Sequence, residues 1–166
     1  MPQVPVIIRG KWEAESNVTS VNCLNVVVNF ADPVWNGVGS HRIFSIDGTV
    51  RLRMWIICLD KLTDAADLAT IKFGHKNGLS KFIADTDAAG KNGNEISVGQ
   101  LWFAPGAAVR VKETSAVILD YVVSNGLDVG YTISGEALTG GSLEFYCVWE
   151  PLSLVSGVDV GDGGPL

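Results

Sequence analysis

An antiparallel β-sandwich of jelly-roll or Greek-key type, with extended arms at both ends, is the fold class this sequence predicts. Three observations carry the prediction. About eight short runs alternate apolar and polar residues with a period of two. Gly, Asn and Asp pairs punctuate those runs at turn positions. No amphipathic stretch reaches three helical turns, so the crossover helices that parallel α/β sheets require are missing.

Taken in order, residues 1–20 read as an N-terminal arm, with early prolines, the short apolar run Val6-Ile7-Ile8 and a polar stretch around Trp12 that has no period. From Cys23 to Phe30, Leu24, Val26, Val28 and Phe30 alternate with Asn25 and Asn29, the pattern of a half-buried strand. The segment from Ala31 to Ser40 contains Asp32-Pro33 and Asn36-Gly37 and reads as a loop. Asp47-Gly48 then opens the strongest strand, Thr49 to Leu59. Arg51 and Arg53 face outward there, before Trp55, Ile57 and Leu59 turn the second face apolar as well, as in a central or covered strand.

Asp60 to Asp67 has room for one helical turn. Ala69, Ile71 and Phe73 resume the alternation up to a turn at Asn77-Gly78, and Leu79 to Asp85 forms a weaker strand. Thr86 to Asn94 is a loop, Ile96 to Phe103 an extended segment interrupted by Gly99, and Val109 with Val111 a short charged edge. The sharpest local pattern flanks Asn125-Gly126, with Val117, Leu119, Tyr121 and Val123 before it and Leu127, Val129, Tyr131 and Ile133 after it. That arrangement predicts a β-hairpin. After Gly140-Gly141, a strand from Ser142 to Glu150 places Leu143, Phe145, Cys147 and Trp149 on one face. The expected organisation is thus an arm over 1–20, a sandwich over 21–152 and a Gly-rich C-terminal tail over 153–166.

A chain of 166 residues can bury one core without metals or disulfides. Charged residues make up 18% of it, against a usual share of about 25%, which leaves a surface suited to burial against neighbours. With 12 basic and 18 acidic residues the net charge is −6, the wrong sign for nucleic acid, so no nucleic-acid partner is expected. The longest purely apolar run, Met54 to Leu59, is too short to cross a bilayer, and no signal peptide is evident, so no membrane partner is expected either.

The three cysteines fit neither a zinc site nor a compact disulfide framework. Cys58 and Cys147 fall in register with large apolar residues, as small reduced core residues would. His41 and His75 flank a loop and a turn and read as solvated. Asp60, Asp64, Asp67, Asp85 and Asp87 lack EF-hand spacing, and neither a nucleophile elbow nor a phosphate-binding loop occurs. No cofactor, metal or catalytic residue is therefore expected, and the chain reads as a non-enzyme. Among five tryptophans, Trp55 and Trp149 read as packing, whereas Trp12 and Trp35 lie in irregular segments. Together with Val6, Ile7 and Ile8 they are the candidate contacts to other subunits.

From about Ile43 to Leu154 several signatures recur in order. They are Val50-Arg51-Leu52-Arg53 leading to Cys58, Lys81-Phe82-Ile83-Ala84-Asp85-Thr86, Glu95-Ile96 with Leu101-Trp102, Ser124-Asn125-Gly126-Leu127-Asp128-Val129, and Leu138-Thr139-Gly140-Gly141 through Phe145 to Leu152. With these the chain resembles small β-sandwich virion structural proteins of tailed bacteriophages. The resemblance implies a capsid decoration, or cement, protein made in the host cytoplasm and carried on the capsid surface. Its partners would be the major capsid protein and further copies of itself, as a homotrimer or else a dimer. The alternative is a carbohydrate-binding jelly roll of a tail fibre or receptor-binding part.

Overall fold

Ten strands build two antiparallel sheets in the computed structural model, which describes residues 22–88, 98–102, 120–124 and 126–166. They are β1 (Asn22–Asn29), β2 (Gly39–Asp47), β3 (Val50–Asp64), β4 (Thr70–His75), β5 (Gly78–Asp87), β6 (Leu101–Trp102), β7 (Tyr121–Val123), β8 (Val129–Ser134), β9 (Leu138–Pro151) and β10 (Gly157–Val160). The first sheet runs β1-β9-β3-β6, with β7 also on β3, and the second runs β10-β2-β8-β4-β5.

The pairings β1·β9, β2·β8, β3·β6 with β3·β7, and β4·β5 are the rungs of one long antiparallel hairpin, whose tip is the two-residue turn Lys76-Asn77. Rolling that hairpin brings β9 against β3 and β8 against β4, and this is the winding of a jelly roll. The predicted sandwich is therefore the observed one. Its core lies between the sheets, where Leu52, Met54, Ile56 and Cys58 of β3 and Leu143, Phe145 and Cys147 of β9 are buried with Phe44, Phe73, Tyr131 and Ile133 of the facing sheet. Rings meet across this layer, Phe145 lying 5.4 Å from Phe73 and 5.5 Å from Tyr131 between centroids.

Several local expectations are corrected. The pattern around Asn125-Gly126 is not a hairpin, because β7 pairs with β3 in one sheet and β8 with β2 and β4 in the other. The turn, closed by Leu127 N–H donating to the Ser124 carbonyl at 3.1 Å, carries the chain across the core. Alternation says only that each run is half-buried. Every residue from Val129 to Ile133 is in fact buried, so β8 needs neighbours on both edges, which β2 and β4 supply.

No helical turn forms over Asp60 to Asp67. Instead β3 continues through bulges opposite β9, with Thr63 against Gly140 and Asp64 against Leu138, because Leu62 still has core to fill. Strand β2 starts at Gly39, inside the loop expected from Ala31 to Ser40. A bulge between Arg42 and Phe44 buries both Ile43 and Phe44 and hides the period. Around Asn77-Gly78 the turn residues are Lys76 and Asn77, and Gly78 already pairs with His75. The charged edge at Val109 and Val111 lies outside the described residues.

The C-terminal segment, expected to project as a tail, is built into the sandwich. Strand β10 pairs with β2, Val158 is buried, and the following residues run on along the β2 edge. Gly161 N–H donates to Ile43 O at 2.6 Å, Arg42 N–H to Gly164 O at 2.7 Å and Gly163 N–H to Arg42 O at 3.1 Å. The Arg42 guanidinium grips both Asp162 oxygens at 2.8 and 2.9 Å and reaches Asp128 at 3.1 Å. Asp128 in turn accepts the Ile46 N–H at 3.0 Å. His41, expected in solvent, is buried beneath this strap. Its ring stacks on Tyr131 at 5.0 Å, and its nitrogens face Gly37 O at 2.7 Å and Gly163 O at 3.3 Å. Composition made this segment look unable to fold alone; a neighbouring strand edge supplies what it lacks.

Three outcomes follow from this architecture. All three cysteines are free; Cys58 and Cys147 are buried and Cys23 is half-buried. Burial, with Asp60 nearby, pushes the Cys58 thiol up to about 11, and burial raises Cys147 further. Thiol labelling of the native protein should therefore modify Cys23 slowly and spare the other two until denaturant is added. Fast modification of all three in the native state would contradict the burial.

Gly126 sits at φ +79°, a conformation that costs a β-branched residue strain even where space is open. Gly126→Val should lower stability by roughly 1 kcal/mol or more in denaturant unfolding.

The Arg42 bond holds the Asp162 carboxyl below its ordinary value of 3.8. A folded-state value below the unfolded one contributes stability that is present at neutral pH and lost as acid protonates the group. The stability difference between wild type and Asp162→Asn should thus be largest above about pH 5 and close as pH falls further. Because the pair is solvent-exposed, raising the salt concentration should shrink that difference.

Candidate functional site

The outward face of the first sheet is the surface on which the fold concentrates apolar side chains. Strand register fixes which residues share it, since side chains opposite one another across paired strands point the same way. Val27 lies opposite Glu144, which lies opposite Ile57, which faces Leu101. The next row is Asn25, Tyr146 and Trp55, and the next Cys23, Val148 and Arg53. Glu150, Arg51 and Val122 complete the face towards one end.

Trp55 and Tyr146 stack with centroids 5.2 Å apart and planes within 7°, forming an aromatic pair at the centre. Val27 and Val122 stand 55% and 65% exposed at its margins, and Ile57, Leu101 and Val148 are half-buried between them. The polar side chains on the face bond one another, the two arginines to carboxylates and Glu144 to a neutral amide. Asn25 donates to Glu144 at 2.6 Å, Arg51 bonds Glu150 at 3.0 Å, and Arg53 bonds Asp120. The Arg53 bond lowers the Asp120 carboxyl below its ordinary value. A shallow depression lies among Arg51, Arg53, Asp120, Val148 and Glu150. Such a face offers aromatic and aliphatic contact area, with two arginine–carboxylate pairs grouped towards one end.

The predicted contact residues fall elsewhere. Val6, Ile7, Ile8 and Trp12 lie outside the described residues. Trp35 is in the turn-rich segment between β1 and β2, half-buried against the core, with its indole beside Gly163 and its carbonyl accepting the Tyr131 hydroxyl. It is not brought to the apolar face. Trp55, read from sequence as packing, instead reaches this outward face together with Tyr146 of β9, because both alternate with the inward core row. The signal that could have found Trp55 is the loss of alternation from Trp55 to Leu59, where both faces of β3 become apolar.

Two of the carboxylates weighed as calcium ligands accept hydrogen bonds from the protein itself. Asp64 accepts from Asp67 N–H at 3.2 Å and Ala69 N–H at 2.7 Å, and Asp60 accepts the Ser142 hydroxyl at 2.9 Å. Among the described residues no group of three or more His, Cys, Asp or Glu side chains is placed to hold a metal ion. His75 is half-buried beside Phe82, accepts the Asn77 N–H at 3.2 Å, and is lowered from its ordinary value by burial and by Lys81.

Compared with known proteins, the chain matches no family model, no curated protein and no solved structure.

Proposed function

We propose that this protein is a structural component of a tailed-phage particle, a capsid decoration protein that binds the major capsid protein on the outside of the head. The observation that supports the reading most is the aromatic and aliphatic area on the outward face of the first sheet, where Trp55 stacks on Tyr146. Jelly rolls recur in both capsid and lectin domains, so the fold fits the reading without selecting it. The sequence resemblance to virion proteins adds the class of particle.

In this reading copies associate as a homotrimer, or alternatively a dimer, and the N-terminal arm extends the contact with the shell. Linking the arm to the sandwich turns two weak contacts into one avid attachment. The Trp55–Tyr146 pair also favours a second reading, a glycan-binding jelly roll in a tail fibre, since sugars stack on aromatic rings.

One experiment separates them. Heads assembled without the protein, and separately an array of glycans, are incubated with the full-length chain, with a variant lacking residues 1–20, and with Trp55→Ala. The described sandwich begins at Asn22, so the truncated chain should fold, yet it should decorate heads more weakly and protect them less against heat. Decoration by the truncated chain equal to that of the full-length chain would remove the arm from the mechanism. Glycan binding abolished by Trp55→Ala, with no binding to heads, would replace the cement reading with the recognition reading.

A further inference from the structure

The β9–β10 connection presents an apolar tip that the sandwich itself does not use. Leu154 is fully exposed, Val155 is 77% exposed and Leu152 is exposed beside them. The loop that carries them is firmly held. Leu152 N–H donates to Thr49 O at 2.8 Å, Thr49 N–H to the Ser153 hydroxyl at 3.0 Å, and the Ser156 hydroxyl to Ser153 O at 2.9 Å. The loop lies so close on the β2–β3 turn that a Cβ at Gly48 would meet Val155 O at 2.1 Å, and Gly48 itself has φ +63°. An apolar side chain held outward by a fixed loop loses little conformational freedom when it is buried, which is what an interface anchor requires.

Charge beside the tip indicates what it meets. Asp47, next to Gly48, and Asp159 of β10 are both exposed. They share one face of the β2–β10 pair, since Asp159 lies opposite Ser45, two residues from Asp47. Neither makes an ion pair among the described residues, whereas Arg51, which follows the β2–β3 turn, is engaged by Glu150. An acidic rim repels anionic lipid and disfavours a second copy of the same tip. It suits a protein surface with cations around an apolar cleft. Strand β1 begins at this end too, with Asn22 opposite Trp149.

We propose that the loop from Leu152 to Ser156 is a docking tip whose partner is a protein surface presenting an apolar cleft flanked by lysine or arginine side chains. Resting on the decoration reading, that partner is the shell protein of the head, with Leu154 and Val155 seated in the cleft and Asp47 and Asp159 facing its cations.

The test compares the full-length protein with Leu154→Ser/Val155→Ser and Asp47→Asn/Asp159→Asn for binding to heads that lack it, across a salt series, and with binding to vesicles containing anionic lipid. All four side chains point outward, so both variants should keep the wild-type melting temperature. The tip variant should bind at least about tenfold more weakly, as loss of an anchor does. The charge variant should bind several-fold more weakly at low salt, with a flatter salt dependence. Wild-type binding retained by the folded tip variant would overturn the docking tip while leaving the decoration reading intact. Binding to vesicles but not to heads would overturn both, as would failure of all three proteins to bind heads.

Discussion

Everything else in this molecule hangs on the pairing of β3 with β9. These are the longest strands, and their ladder runs from Val50 opposite Pro151 to Asp64 opposite Leu138. Their inward side chains form one wall of the core, and burying each large one contributes roughly 1.5–3 kcal/mol. The same ladder forces the winding. β9 is already the partner of β1 and β3 of β7, so joining β9 to β3 closes the long hairpin on itself and brings β8 beside β4. A residue on one face of this ladder cannot change sides without a register slip, which would expose the whole core row.

That constraint also creates the outer face. Residues that alternate with the core row must point away from it, and along β3 they change from Arg51 and Arg53 to Trp55, Ile57 and Leu59. The charged half is neutralised by Glu150 and Asp120, and the apolar half collects the Tyr146 ring from β9. Packing and the proposed interface are thus two sides of one strand pair. The apolar loop tip has a different origin, in the short passage by which the chain leaves β9 in one sheet and enters β10 in the other.

Arg42 plays a smaller organising role. It sits at the β2 bulge and joins three segments distant in sequence, β2 itself, the stretch leading into β8 and the C-terminal strap. Its pair with Asp162 is exposed and weak, and its bond to Asp128 is part-buried. Their value lies in fixing where the strap runs, while the energy of attachment comes more from Val158 in the core and the backbone ladder.

The sequence by itself determined what depends on neighbours along the chain. The period of two in β1, β3, β4 and β9, the inward row through Cys58 and Cys147, the outward Arg51 and Arg53, and a tight turn at Gly126 were all legible, because alternation reports directly which face of a strand is buried. Tertiary structure alone decided what depends on partners far away in sequence. It parted β7 from β8 into different sheets, ran β3 past Asp60, buried His41, recruited the Gly-rich end as β10, and set the Tyr146 ring against Trp55. A strand's edges carry the same backbone hydrogen-bonding groups whatever its side chains, so no local pattern names its partner. The apolar face was legible only in part. Trp55, Ile57 and Leu59 announce a strand apolar on both sides, but whether the second side meets another layer of the same chain or a surface beyond it is settled by the winding of the hairpin, which leaves it facing outward.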